Sequence, residues 1–152
     1  MGQPKRKLSD DDYERLAEFR YGLRRFLHWS EQQARQVGIT PTQHQLLLAI
    51  RSSREPRGAT VGEVAEVLII RHHSAVGLID RAQEAGLITR QRDPETHSIV
   101  HLKLTEMGAL ALSALSEAHL RELSQLAPTM QALLDVLSEP EAAELMLMRQ
   151  VR

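Results

Sequence analysis

Cysteine is absent from the 152 residues, and with it go disulfide scaffolds, thiolate zinc sites and thiol-based redox sensing. Aromatic residues make up only 3% of the chain against 42% hydrophobic, a balance that disfavours a sandwich or barrel and favours a helical protein built on Leu and Ala. No apolar run approaches the roughly 18 residues of a membrane helix. The N-terminus, MGQPKRKLSDDD, carries charge but no apolar signal core, so a cytoplasmic protein with no membrane partner is expected. A surplus of charge of one sign is lacking too. The formal net charge is −1, so bulk electrostatics draw no polyanion to this chain, and any case for nucleic acid rests on local geometry. Neither a glycine-rich phosphate loop nor a serine or carboxylate in a nucleophile setting occurs, so no enzyme and no cofactor is expected.

What is present is a sequence of helix signals sized for one domain with a real core. Ser9 followed by Asp10, Asp11 and Asp12 makes an acidic first turn, which the helix dipole favours. Tyr13, Leu16, Phe19, Leu23, Phe26, Leu27 and Ala34 then recur at helical spacing and predict a helix over 10–36, stopped at Gly38. Thr40-Pro41-Thr42-Gln43 combines an N-cap, a first-turn proline and a capping-box glutamine, opening a helix over 41–53 that buries Leu46, Leu47 and Ile50. Residues 52–59, with Pro56 and Gly58, read as a loop.

Thr60 with Glu63 is a second capping box, for a short helix to Leu68. Another helix over 71–85 follows after a few residues, the spacing of a helix-turn-helix. Past Gly86 the period changes to alternation, giving strands over 87–91 and 99–104 about a polar turn, 92–98: a hairpin, or wing. Thr105 caps an Ala- and Leu-rich helix expected to reach about Leu126, where Pro128 breaks or kinks it. Helices over 129–137 and, from the box Ser138 with Glu141, to Val151 complete the reading. The fold class is therefore mainly α, an α+β winged helix-turn-helix with six to seven helices and a two-to-three-stranded wing. Leu133, Leu134, Leu137, Leu145, Met146, Leu147 and Met148 exceed what one protomer can cover, which points to a homodimer.

The order of elements, and the text of GITPTQHQLLLAI and TVGEVAEVLIIRHHSAVGLIDRAQEAGLITRQRDPETHSIVHLKLT followed by Gly108, resemble the MarR family of bacterial regulators over residues 38–110. The most specific part is the fixed spacing of Leu78 to Arg81, Gly86 to Ile88, Arg90, Asp93-Pro94 and Leu104-Thr105. The resemblance implies a dimerisation region of 1–37 and 105–152 with intertwined outer helices, and a DNA-binding domain over 38–104. It further implies a recognition helix in each of two major grooves, a wing in the flanking minor groove, and repression relieved by a small ligand. Two departures stand out. Thr96, His97 and Ser98 replace the Asp-Arg-Arg triplet common in the family's wing. Arg71 stands where a capping Ser is usual, and Gly77 where a polar or basic contact is usual.

On a helical wheel Ala75, Leu78, Ile79 and Ala82 face the core, and His73, Val76, Gly77, Asp80, Arg81 and Glu84 face out. The first two turns of such a helix reach base edges. His73 and Ser74 are thereby assigned to hydrogen bonding, Val76 to a thymine methyl, Gly77 to close backbone approach and Arg81 to a phosphate. His72 reads equally as a packed or capping residue. Arg90, Arg92 and His97 are candidates for backbone or minor-groove contact, against the reading of an ordinary exposed hairpin. Asp93 reads as a partner for a nearby arginine. Thr40 and Thr42 sit where a helix N-terminus can hold a phosphate, although capping alone accounts for Thr40. Arg51, Arg54 and Arg57 read as a solvated loop within reach of flanking phosphates.

His28, Trp29 and His44 fall near the crevice that holds ligands in regulators resembling this one, and suit an aromatic or phenolic effector, with a satisfied core as the alternative. A metal held by His28, His44 and His119 finds little support, since no two histidines share a helix face at ligand spacing. The function expected is thus a dimeric, sequence-specific transcription repressor reading a pseudo-palindromic operator. The rival is a winged-helix protein-interaction module without specific DNA binding.

Overall fold

The computed structural model describes residues 8–137. Ser9 opens the first helix, α1 (Asp10–Gln36), through a reciprocal cap in which its hydroxyl accepts from the Asp12 N–H at 3.3 Å and its own N–H donates to Asp12 Oδ2 at 2.9 Å. Thr40 and Thr60 open α2 (Pro41–Ser52) and α3 (Val61–Val67) with complete capping boxes on Gln43 and Glu63. Each box satisfies two N–H groups that the helix cannot satisfy itself. A second helix of the helix-turn-helix, α4 (His72–Glu84), follows. Of the strands, β1 is Ala59–Thr60, β2 Ile88–Arg92 and β3 Val100–Leu104, and α5 (Glu106–Leu137) closes the order.

The sheet is antiparallel in the order β1-β3-β2. Ile88 pairs with Leu104 and Arg92 with Val100 across the wing, while Ala59 pairs with Leu102 and Thr60 with His101. Strand β1 lies where the sequence reads as loop: two residues carry no alternation, and only the pairing with β3 makes them a strand.

Two compact units divide the described chain, residues 8–28 with 120–137 and residues 29–119. The second holds a single core in which Leu46 and Leu47 of α2, Ile79 of α4, Ile88, Leu102 and Leu115 are almost completely buried. The buried face of α4 is Ala75, Leu78, Ile79 and Ala82, as the wheel predicts. Thr105 joins wing to α5 by donating its hydroxyl to the Gly86 carbonyl at 2.6 Å and accepting from the Gly108 N–H at 3.0 Å.

Within the first unit, Gly22, Leu23 and Phe26 of α1 face Leu123, Leu126, Ala127 and Met130 of α5 about an apolar cavity of about 270 Å3. This packing bears on a correction. Pro128 is expected to break or kink the helix near Leu126, with a further helical stretch over 129–137, and of these the break does not occur: α5 runs as one helix through it. Proline forfeits one backbone hydrogen bond, but Leu126 and Met130 on either side of it are half-buried against the same apolar cavity, and this packing offsets the loss. Five helices therefore stand among the described residues rather than six to seven. The helix from Ser138 to Val151, with Leu145 to Met148, lies outside the described residues. No described helix is long and apolar enough to cross a membrane.

Candidate nucleic-acid interface

The exposed side of α4 is built by the burial of its other side. With Ala75, Leu78, Ile79 and Ala82 in the core, His72, His73, Ser74, Val76 and Arg81 are exposed, while Gly77 and Asp80 are half-buried. His72 is thus a surface residue rather than a packed one. Arg71, the N-cap, makes no side-chain capping bond. Gly77 leaves room over which Arg81 folds back: a Cβ there would meet Arg81 Nη1 at 3.4 Å. From Val67 to Ile79 the sequence holds no acidic residue.

The wing is anchored to α4 at its base, because the Arg90 guanidinium on β2 donates to Asp80 Oδ1 on α4. Arg90 therefore stands as half of a surface ion pair, and Asp80, outward as expected, is already neutralised. Arg92, His97 and Thr96 are exposed on the hairpin.

The hairpin tip folds on one carboxylate. Asp93, only 6% exposed, accepts from the Glu95 and Thr96 N–H groups on Oδ1 at 2.9 and 2.8 Å. On Oδ2 it accepts from Arg57 Nη1 at 2.6 Å and from His101 Nε2 at 2.9 Å. The Thr96 amide, then His101, Arg57 and the Glu95 amide, hold its carboxyl well below the usual range. The other ring nitrogen of His101, Nδ1, lies 3.0 Å from the Gly58 carbonyl oxygen. Both partners of this buried ring accept only, so both nitrogens must carry protons, and the ring is an imidazolium. Asp93 foremost, then the Gly58 carbonyl, raises the His101 pKa above its ordinary value of 6.5.

Asp93 is thus the arginine partner that its position suggests, and Arg57 leaves the solvated loop to be that partner. His101 was missed. In β3 it alternates with Val100 and Leu102, the pattern of a solvent-facing residue, whereas in the structure its ring is held between Asp93 and the Gly58 carbonyl.

Thr40 spends its hydroxyl on the Gln43 N–H at 3.1 Å and lies 3.2 Å from the Thr42 hydroxyl, so capping accounts for it fully, while Thr42 is exposed. Of the effector candidates, His28 is exposed on α1. Trp29 and His44 come together through a residue the effector reading did not include: the His119 ring centroid is 4.9 Å from that of Trp29 and 4.8 Å from that of His44. His119 Nδ1 donates to the Leu115 carbonyl at 2.6 Å, and Nε2 is 2.6 Å from Ser30 Oγ. Burial first, and the neighbouring His119 second, lower the His44 pKa from 6.5. No group of three His, Asp or Glu among the described residues is placed to hold a metal ion.

Comparison with known proteins agrees with this geometry. No curated protein sequence matches the chain. Among solved structures, AbsC, a MarR family transcriptional regulator from Streptomyces coelicolor, superposes with a TM-score of 0.70 at 20% identity, covering 93% of this chain and 99% of its own. A MarR family protein from Bacillus stearothermophilus gives 0.67 at 21% identity over 95% and 99%. The S. aureus MepR–DNA complex gives 0.56 at 18% identity over 95% of each chain. The likeness in each case is one of fold. The model of the MarR family matches residues 37–97, the stretch from the end of α1 to the wing tip, so the winged helix-turn-helix of this chain is similar to that of the MarR family.

Proposed function

We propose that this chain is a sequence-specific transcription regulator that binds duplex DNA as a homodimer and acts as a repressor. The observation that carries the reading is the two-faced α4. Its inner face is locked in the core, and its first two turns present His73, Ser74 and Val76 to solvent, with the half-buried Gly77 beside them, on an acid-free stretch. A rigid scaffold aiming a short polar and apolar face outward is what major-groove readout needs. His73 and Ser74 hydrogen-bond base edges, Val76 meets a thymine methyl, Gly77 admits the backbone and Arg81 pairs a phosphate. Two copies read a pseudo-palindrome with half-sites about one helical turn apart. MepR has been solved on DNA, which supports duplex DNA as partner for a fold of this kind.

The wing adds backbone contacts from Arg92 and His97, with Thr42 on a flanking phosphate. Arg90, being shared with Asp80, contributes less until that pair opens. Asp80→Asn should therefore tighten binding to every duplex and steepen the salt dependence by up to about one phosphate contact. A weaker or unchanged affinity in a salt titration would rule out this role. An aromatic or phenolic effector acts at Trp29 and His44. Because Trp29 is the one tryptophan, its fluorescence reports directly on such binding.

Selection from a random duplex pool at low salt, followed by mobility shift, tests the central claim: a recovered two-fold motif supports it. Failure to enrich any sequence favours the protein-interaction reading, which the net charge of −1 and a wing tip of Thr96, His97 and Ser98 also fit.

A further inference from the structure

The turn between α3 and α4 contains a residue that is costly twice over. Ile69 has φ +54°, the one non-glycine with positive φ among the described residues. A branched Cβ is badly placed there, and glycine is the residue that adopts this conformation freely. The hydrogen bonds explain the conformation but not the residue. The Ile69 N–H donates to the Glu66 carbonyl at 3.1 Å and the Ile70 N–H to the Ala65 carbonyl at 3.0 Å, the paired bonds of a Schellman end to α3, normally built with glycine at this position. Packing gives nothing back, because Ile69 is 91% exposed.

Its surroundings narrow what the side chain is for. Val67 and Ile70 beside it in sequence are also exposed apolar residues, Arg71, His72 and His73 follow on the surface, and no acid occurs between Val67 and Ile79. An apolar turn continuous with the base-reading end of α4, and followed by the Arg71 guanidinium and two imidazole hydrogen-bonding groups, suits a polyanion that carries apolar spots. An isoleucine gains nothing from a phosphate. In the major groove its apolar counterpart is the thymine C5-methyl group.

We propose that Ile69 is a specificity-determining DNA contact, seated against a thymine methyl at the edge of each half-site, and that its strained backbone is retained for that contact. This rests on the DNA-binding reading of α4. Strain at a turn that packing does not repay is the pattern of a binding residue.

The test uses full-length protein, the duplex it selects, and copies of that duplex in which each thymine in turn is replaced by uracil, which lacks the methyl. Ile69→Gly should raise the Tm by about 2–4 °C, yet weaken binding by about fourfold per half-site, the worth of one buried methyl. One uracil position should weaken the wild type and leave Ile69→Gly unaffected, while Val76→Ala loses its response at a different thymine. A variant that melts no higher, or that binds as tightly with the wild-type uracil profile, overturns the proposal. So does a smaller sedimenting species, which would place Ile69 in a protein contact. A wild type that selects no duplex instead sinks the reading of α4 itself, and the inference with it.

Discussion

Two glycines pull in opposite directions. Gly77 sits inside α4, where glycine costs about 1 kcal/mol relative to alanine, and an added Cβ would meet only the flexible tip of Arg81. Gly77→Ala should therefore stabilise the fold by about 1 kcal/mol while weakening DNA binding, because in the proposed complex the added methyl would stand between the helix backbone and the groove. Denaturant unfolding and mobility shift on the same variant check both halves, and an unchanged affinity would remove Gly77 from the interface. Gly108 tolerates nothing. A Cβ there would lie 2.1 Å from the Leu87 carbonyl oxygen, and that oxygen already accepts from the Thr105 N–H at 3.0 Å. Neither atom can yield without opening the junction of wing and α5, so Gly108→Ala should lower unfolding stability by about 1–3 kcal/mol. Wild-type stability in a urea titration would show the junction to be softer than this.

At the level of the element, the wing is held by protons. His101 bridges Gly58 and Asp93 as an imidazolium, and its folded pKa is raised. Its stabilisation is therefore full below 6.5 and is lost as pH rises through the folded value. His44 has the opposite sign: its pKa is lowered, so its contribution stands above 6.5 and is lost as pH falls. Melting curves across the neutral range should show wild type exceeding His101→Asn most on the acid side, with the gap closing toward alkaline pH. The gap to a His44→Gln variant should change the other way. A constant gap for His101→Asn would mean the ring is not charged.

How far these elements are legible in sequence follows from the range of the forces. Thr40 with Gln43 and Thr60 with Glu63 are local caps, and both were readable. The inner face of α4 follows from its period and was read residue for residue. The clasp of Arg57, Asp93 and His101 spans 36 and 8 positions; of it only the need of Asp93 for an arginine was visible. Pro128 misled because a local rule met a non-local apolar surface. Arg90 pairing with Asp80, and the ring of His119 between Trp29 and His44, are likewise products of tertiary approach.

For the whole molecule the unresolved quantity in one protomer is its uncovered apolar surface. Within the first unit Tyr13, Leu16, Leu23 and Leu27 on α1 and Leu120, Leu123 and Leu134 on α5 are exposed, and Leu23 and Leu123 also line the apolar cavity with Phe26 and Met130. Single exposed leucines are ordinary, but several of them on the two helices that line one apolar cavity are the kind of surface that marks an interface. A second copy is the partner that matches it, since a two-fold interface lets each protomer cover the same face of the other. In the proposed dimer the same contact would set the spacing of the two copies of α4, which links the proposed two-fold operator to the apolar helices. Leu120→Glu combined with Leu123→Glu places charge on the patch without touching α4 or the wing. Sedimentation velocity should find this variant shifted to monomer, and affinity for the two-fold duplex should fall far more than affinity for an isolated half-site. A variant that remains dimeric with wild-type affinity would place the interface on another face of the molecule.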